Sequence, residues 1–283
     1  NGALTTTTTD TGTLAITGSA NTVTIANAVG GSGKLLSSVT IADSTNATFS
    51  EAVYATSLTA GSGTTTFNAD VAAAISLTGG AMIVADGKNV NGAINNASAN
   101  GTTSLTLSGS SNVSGAVGAS NAISSVSLIN KASASSTFSS TFAATAITLG
   151  ANAGSATFGG TTKINDAVNF TAAGQNITFK GTTDLANGIN LKGFASTVTL
   201  DSTSASKTLT GAVTTATNDT GTLAIEGANT FTVANAVGSN GNALSSVTIA
   251  DSSNAIFSST IHANALTVGT GSATFNDAVT AAI

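Results

Sequence analysis

The chain has 283 residues, only 7% of them charged and 4% aromatic, and it contains no Pro, Cys or Trp. Seven basic against twelve acidic residues give a net charge of -5, which argues against nucleic acid as a partner, since binding a duplex needs clustered cations. The hydrophobic content of 41% works against disorder, no apolar run approaches the roughly 18 residues of a membrane helix, and the missing thiol is weak support for export.

The chain opens on Asn1-Gly2-Ala3 in place of a signal peptide, so the expectation is an excised or processed piece of something longer. From there a frame of two large apolar residues four positions apart recurs twelve times. Its members are Ile25/Val29, Phe49/Val53, Phe67/Val71, Val90/Ile94, Val113/Val117, Phe138/Phe142, Ile164/Val168, Leu185/Ile189, Leu209/Val213, Val233/Val237, Phe257/Ile261 and Phe275/Val279. Between the two members stand mostly Ala, Gly, Asn, Asp, Ser and Thr, which suit a tight corner.

A second motif alternates with the frame: an apolar residue flanked by Ser or Thr. It appears at Ser38-Val39-Thr40-Ile41, Ser57-Leu58-Thr59, Ser76-Leu77-Thr78, Ser104-Leu105-Thr106-Leu107, Ser125-Val126-Ser127-Leu128, Thr197-Val198-Thr199-Leu200 and Ser246-Val247-Thr248-Ile249. Period-two alternation with β-branched residues reads as a half-buried strand. Turn signals such as Gly61-Ser62-Gly63, Asp86-Gly87 and Asn240-Gly241 separate the motifs. Each unit therefore reads as strand, Gly/Ser corner, short strand, small-residue corner, short strand and return loop, with Gly30 to Lys34 and Asp86 to Asn89 as excursions.

The units are nested in a longer repeat. Laying Asn21 to Ile75 over Asn229 to Ile283, a shift of 208 positions, gives 34 identities in 55. The first super-repeat runs over about 1–208 and a partial second over about 209–283, within one continuous segment 1–283. A natural polypeptide that continues further is the expectation. Sustained i, i+3, i+4, i+7 order is absent, so a helical reading fails. A sandwich has no reason to repeat its sequence, whereas a solenoid stacks near copies. The fold class is an all-β β-solenoid (β-helix) of about 12 turns with 18–26 residues per turn.

Reactive chemistry finds little footing. His262 is the lone histidine, its place in the other copy is Tyr54, and catalysis by His needs a partner beside it. The carboxylates fall about one per turn. Asp43 and Asp251, matched between copies, read as Asx-type turns before they read as a calcium contact. Gly30-Gly31-Ser32-Gly33-Lys34-Leu35 glances at a phosphate loop, but Leu35 stands where Ser or Thr would hold magnesium. No catalytic, cofactor-binding or metal residues are assigned.

The twelvefold frame, the Ser-Leu-Thr-Leu strands and the cysteine-free Ala/Gly/Thr/Asn alphabet resemble passenger domains of Gram-negative autotransporters, and among these rickettsial outer-membrane surface antigens. The resemblance implies an extracellular β-helical stalk on the bacterial cell surface, serving as coat, filament or adhesin. The first functional expectation is a non-catalytic structural segment. Its partners would be further copies of its own repeat, in cis or by self-assembly, and host surface molecules, without nucleic acid or direct membrane insertion. The alternative is an adhesin domain for host glycans or proteins. Ice binding is favoured less, because the threonines look scattered over the motifs and the unit length is irregular; an enzyme is favoured least.

Overall fold

A computed structural model describes residues 2–18, 22–98 and 102–282. Asn21 and Ile283, which begin one aligned block and end the other, lie outside the described residues. Among the described residues the chain is all-β, has no helix and winds as a parallel β-solenoid of about 13 turns. β-branched and hydroxyl residues alternating with larger apolar ones suit a pleated strand with one buried face.

Contacts group the fold into two compact units, Asn1–Leu128 with Ser136–Ala144, and Ile129–Ser135 with Thr145–Ile283. Unit 1 carries β1 (Thr13–Ile16), β2 (Thr22–Ile25), β3 (Leu36–Ile41), β4 (Asn46–Phe49), β5 (Val53–Ala60), β6 (Thr64–Phe67), β7 (Val71–Leu77), β8 (Gly80–Val84), β9 (Ile94–Asn96), β10 (Thr103–Leu107), β11 (Ser111–Val113) and β12 (Ile123–Leu128). The ranges of β13 (Ala134–Phe138) and β14 (Phe142–Leu149) fall across the division. Unit 2 carries β15 (Gly154–Phe158), β16 (Thr162–Ile164), β17 (Val168–Asn169), β18 (Gln175–Phe179), β19 (Thr183–Leu185), β20 (Ile189–Asn190), β21 (Thr197–Asp201), β22 (Lys207–Thr210), β23 (Val213–Thr214), β24 (Thr222–Glu226), β25 (Thr230–Val233), β26 (Leu244–Ile249), β27 (Asn254–Phe257), β28 (Ile261–Val268), β29 (Ser272–Phe275) and β30 (Val279–Ala282).

Each strand pairs in parallel with strands one turn away. Unit 1 has the orders β1-β3-β5-β7-β9 and β2-β4-β6-β8-β10-β12; unit 2 has β15-β18-β21-β24-β26-β28-β30, β16-β19-β22-β25-β27-β29 and β17-β20-β23. Partners lie as little as 17 positions apart, at Phe67 and Val84, and as much as 26, at Thr183 and Leu209.

One turn shows how the sequence builds the three-sided coil. β5 ends at Ala60, Gly61-Ser62-Gly63 turns the corner, β6 runs to Phe67, Asn68-Ala69-Asp70 turns the next, and β7 starts at Val71. The third corner lies inside β5 itself, where the register with β7 shifts between Tyr54 and Ser57. β28 does the same against β30 between His262 and Ala265. A bulge bends a strand and lets it serve two faces, so the turns without a return loop need no separate third strand.

The short strand expected at the second member of each frame needs correction at Val117, and likewise at Val29 and Val237. Val117 is buried and pairs in parallel with Ile94 on one side and Phe142 on the other, but as an isolated bridge outside any strand. Its N–H donates to Thr141 O at 2.9 Å. The next residue, Gly118, takes φ 68°, as Gly30 and Gly238 after Val29 and Val237 take 71° and 66°. A left-handed residue turns the chain out of the pleat, so the ladder at these corners is one residue long before the return loop begins.

Register places the recurring frame differently from a simple one-frame-per-turn ladder. In unit 1, Ile25, Phe49 and Phe67 stack on one another, but the residue above Phe67 is Val84. Val90 lies above Val71 and Ile94 above Ile75, so from Val90/Ile94 onward the frame sits one corner further round the coil. Val113 and Val117 continue that shifted position, the first above Val90 and the second above Ile94. The corner from Val84 to Val90, widened by the excursion Asp86 to Asn89, escapes a four-residue spacing; the coil of about 13 turns matches the about 12 expected. In unit 2 the second members form one column, Val168, Ile189, Val213, Val237, Ile261 and Val279. The first members slip once, since Ile164 meets Leu185 but Leu209 meets Thr183. Above it, Leu209, Val233, Phe257 and Phe275 stack in line.

The interior consists of these columns. Of the frame residues, Ile25, Phe275 and Val279 are half-buried and the others are buried. In-register stacking sets like on like: Phe158 and Phe179 lie 5.4 Å apart at 20°, and Phe138 meets Phe142 edge-on at 4.7 Å and 63° across a corner. Each buried large side chain contributes about 1.5–3 kcal/mol, while ordering a residue costs about 1–2 kcal/mol. An isolated turn cannot close that balance, so each turn depends on its neighbours.

Candidate functional site

The carboxylates and amides at the corners reach from one turn to the next. The expected turn at Asp43 is present: Thr45 N–H donates to Ala42 O at 3.2 Å and Ser44 takes φ 59°. The side chain, however, does not close its own turn as an Asx turn would. Asp43 Oδ1 accepts from Ser62 N–H at 3.2 Å in the following turn, and Asp251 Oδ1 accepts from Thr270 N–H at 3.0 Å. The same bond recurs at Asn46 with Thr64 N–H, 2.8 Å, Asp70 with Asn89 N–H, 2.8 Å, Asp86 with Ser110 N–H, 2.9 Å, and Asn89 with Asn112 N–H, 3.1 Å. These groups satisfy corner N–H groups that the strand ladder leaves over.

Asp201, at the end of β21, is the one buried acid among the described residues. Lys180 follows β18 one turn away, and its Nζ lies 3.2 Å from Asp201 Oδ2. Partial burial pushes the carboxyl up, but the Thr203 hydroxyl, the Thr203 N–H and the Lys180 ammonium outweigh it and hold the group below the ordinary aspartate range. Gln175 is fully buried nearby in sequence; its Oε1 accepts from Thr171 N–H at 2.9 Å, and its Nε2 donates to Gly150 O and to Asn152 O. Neither group was legible beforehand, since a lone Asp-Ser-Thr or Gly-Gln gives no sign of what the next turn offers.

The motifs singled out for chemistry take ordinary places. In Gly30-Gly31-Ser32-Gly33-Lys34, Gly31 N–H donates to Lys34 O at 3.0 Å and Lys34 N–H returns a bond to Gly31 O at 2.9 Å, so both donors are satisfied inside the loop. Ser239 and Asn242 repeat this small hairpin in the second copy. His262 is half-buried on β28, with its N–H donating to Val237 O at 2.7 Å; Tyr54 does likewise to Val29 O at 2.7 Å. Among the described residues no three His, Cys, Asp or Glu side chains gather as a metal would require.

Threonine placement is a correction. The threonines look scattered in sequence, yet register collects them into columns: Thr157, Thr178, Thr199, Ala224, Thr248 and Thr267 lie on successive turns of unit 2. Beside them run Ser155, Asn176, Thr197, Thr222, Ser246 and Ala265. Unit 1 has a similar column, Thr24, Thr48, Thr66, Ile83, Thr106 and Ser127. Successive rungs stand about 4.8 Å apart and alternate residues about 6.6 Å apart along the strand, so irregular loop length does not disturb the array. An open groove of about 560 Å³ runs past the starts of β6, β8 and β10, lined by Asn46, Ser62, Thr64, Thr103 and Ser104 among others. No known protein family matches the chain, and no curated protein or solved structure does either.

Proposed function

We propose that the chain is a non-catalytic structural segment of an extracellular bacterial surface protein, a stalk, coat or filament of the autotransporter-passenger type, close in character to rickettsial outer-membrane surface antigens. The supporting observation is how its residues are used. Large apolar side chains return as stacked columns in both super-repeats, and the corner acids hydrogen-bond to the next turn where a reactive site would hold them toward a substrate. Polar positions drift between copies, as Asp70 to Ala278 and Tyr54 to His262, and the frame around them stays. Catalysis, cofactors and nucleic acid have no part in this reading.

Its test is exposure on intact cells that make the protein. Antibody labelling of whole cells and loss of the antigen to added protease are expected; labelling only after permeabilisation would sink the proposal. A second reading, adhesion, draws support from the hydroxyl columns, which present a regular polar face. Immobilised chain on a glycan array should then retain defined glycans, and the same preparation in an ice-growth assay separates glycan recognition from ordering of water. No retained glycan ends the adhesive reading.

A further inference from the structure

Asparagine is followed directly by glycine at Asn1, Asn91, Asn100, Asn187 and Asn240. The pairs at Asn1 and Asn100 include residues outside the described ones; the other three stand in different surroundings. At Asn240 a small hairpin closes through Asn242 N–H to Ser239 O at 3.0 Å and Ser239 N–H to Asn242 O at 3.1 Å. Ser239, Asn240 and Gly241 are all exposed. Gly241 takes φ 85° with open space around it, a turn position that glycine adopts without strain. Among the described residues neither the Asn240 side chain nor the Gly241 N–H has a hydrogen-bond partner. The other two pairs are held. Gly188 N–H donates to Leu185 O at 3.1 Å and Asn187 Nδ2 donates to Asp166 Oδ1 at 2.9 Å, so both groups are engaged elsewhere. Gly92 is wedged between backbones, since a Cβ on it would strike Ala73 O and a Cβ on Gly115 would strike Gly92. Asn91 N–H is also tied to Val71 O at 2.8 Å.

We propose that Asn240 is a site of self-modification, converting to aspartate and isoaspartate through a cyclic imide with water as the only co-reactant. The Gly241 nitrogen gives up its proton to solvent base and attacks Asn240 Cγ. A Cγ–N bond to Gly241 forms, the Cγ–Nδ2 bond breaks, and Nδ2 leaves as ammonia. Water then adds to one of the two carbonyls of the imide ring. Opening at Cγ gives aspartate; opening at the main-chain carbonyl gives isoaspartate, whose backbone runs through the former side chain. Both products place a negative charge on the hairpin. The flanking Val237 and Leu244 are 0% exposed, so the change stays on the surface and leaves the apolar columns as they are. In the first copy the same hairpin, closed between Gly31 and Lys34, carries Ser32-Gly33 at this place. Serine has no amide to lose, so the site belongs to the second copy alone.

The full chain kept folded in mildly alkaline buffer tests this, with products located by tandem mass spectrometry and isoaspartate identified by electron-transfer fragmentation. Asn240 should convert at least tenfold faster than Asn91 and Asn187, and hydroxylamine should trap its imide. Asn240→Ser should abolish the reaction there, and Ser32→Asn should create a second reactive site in the first copy. In denaturant the three pairs should react at similar rates, because the fold is what holds two of them back. Equal rates in the folded chain, an inert Ser32→Asn, or the same tenfold spread in the unfolded chain overturns the proposal.

Discussion

Phe67 and Phe275 occupy equivalent places in the repeat but differ in what lies above them, so they separate the contribution of packing from that of sequence. Phe67→Ala should cost about 3–5 kcal/mol, the range for emptying a closed aromatic site, whereas Phe275→Ala should cost well under half of that because water already reaches the ring. Urea unfolding of the two variants measures the difference, and equal losses would contradict the assigned register. Asp201 makes a second prediction. Its carboxyl lies below the ordinary value of 3.8, so its contribution is complete above that value and is lost as pH falls through the lowered one. Unfolding midpoints followed from pH 6 to pH 2 should fall more steeply in the native chain than in Asp201→Asn; parallel curves would show that the Lys180 and Thr203 contacts do not stabilise the fold.

At the level of the strand and corner, Gly30 and Gly238 show what a corner demands. Both have positive φ, 71° and 66°, and a Cβ on either would stand 2.1 Å from a carbonyl oxygen of the next turn, Tyr54 or His262. Gly33 has φ 75° with open space around it. Gly30→Ala should therefore lose more stability than Gly33→Ala, which meets only the left-handed penalty of about 1–2 kcal/mol; thermal melts of both variants provide the check. The corners themselves were readable, since small and turn-forming residues between two large apolar ones have few other uses. The bends inside β5 and β28 were not, because a bulge arises from the register of two strands and leaves no residue signature in Val53 to Ala60. The single-residue ladder at Val117 was half readable: the apolar residue marks a buried position, but the length of pairing depends on where the neighbouring turns run. The hydroxyl surface was hidden for the same reason: Thr178 and Thr199 become neighbours only when 21 positions of chain are wound into one turn.

For the molecule as a whole, stability should be graded along each unit. In a preparation of these 283 residues alone, amides of β1 and β2, paired on one side, should exchange faster than those of β5, β6 and β7, and in unit 2 those of β29 and β30 faster than those of β18 and β21. Uniform protection across a unit would mean that turns do not draw their stability from their neighbours. The sequence alone determined that this is a repetitive all-β coil with an apolar interior, because periodic large residues separated by corner formers can be buried only by stacking near copies. It could not set which columns those residues join. Register is a relation between turns, fixed by closing each coil over the one below, so only the tertiary structure decided that Val84 covers Phe67, that the frame moves on by a corner at Val90, and that scattered threonines line up in columns within each unit.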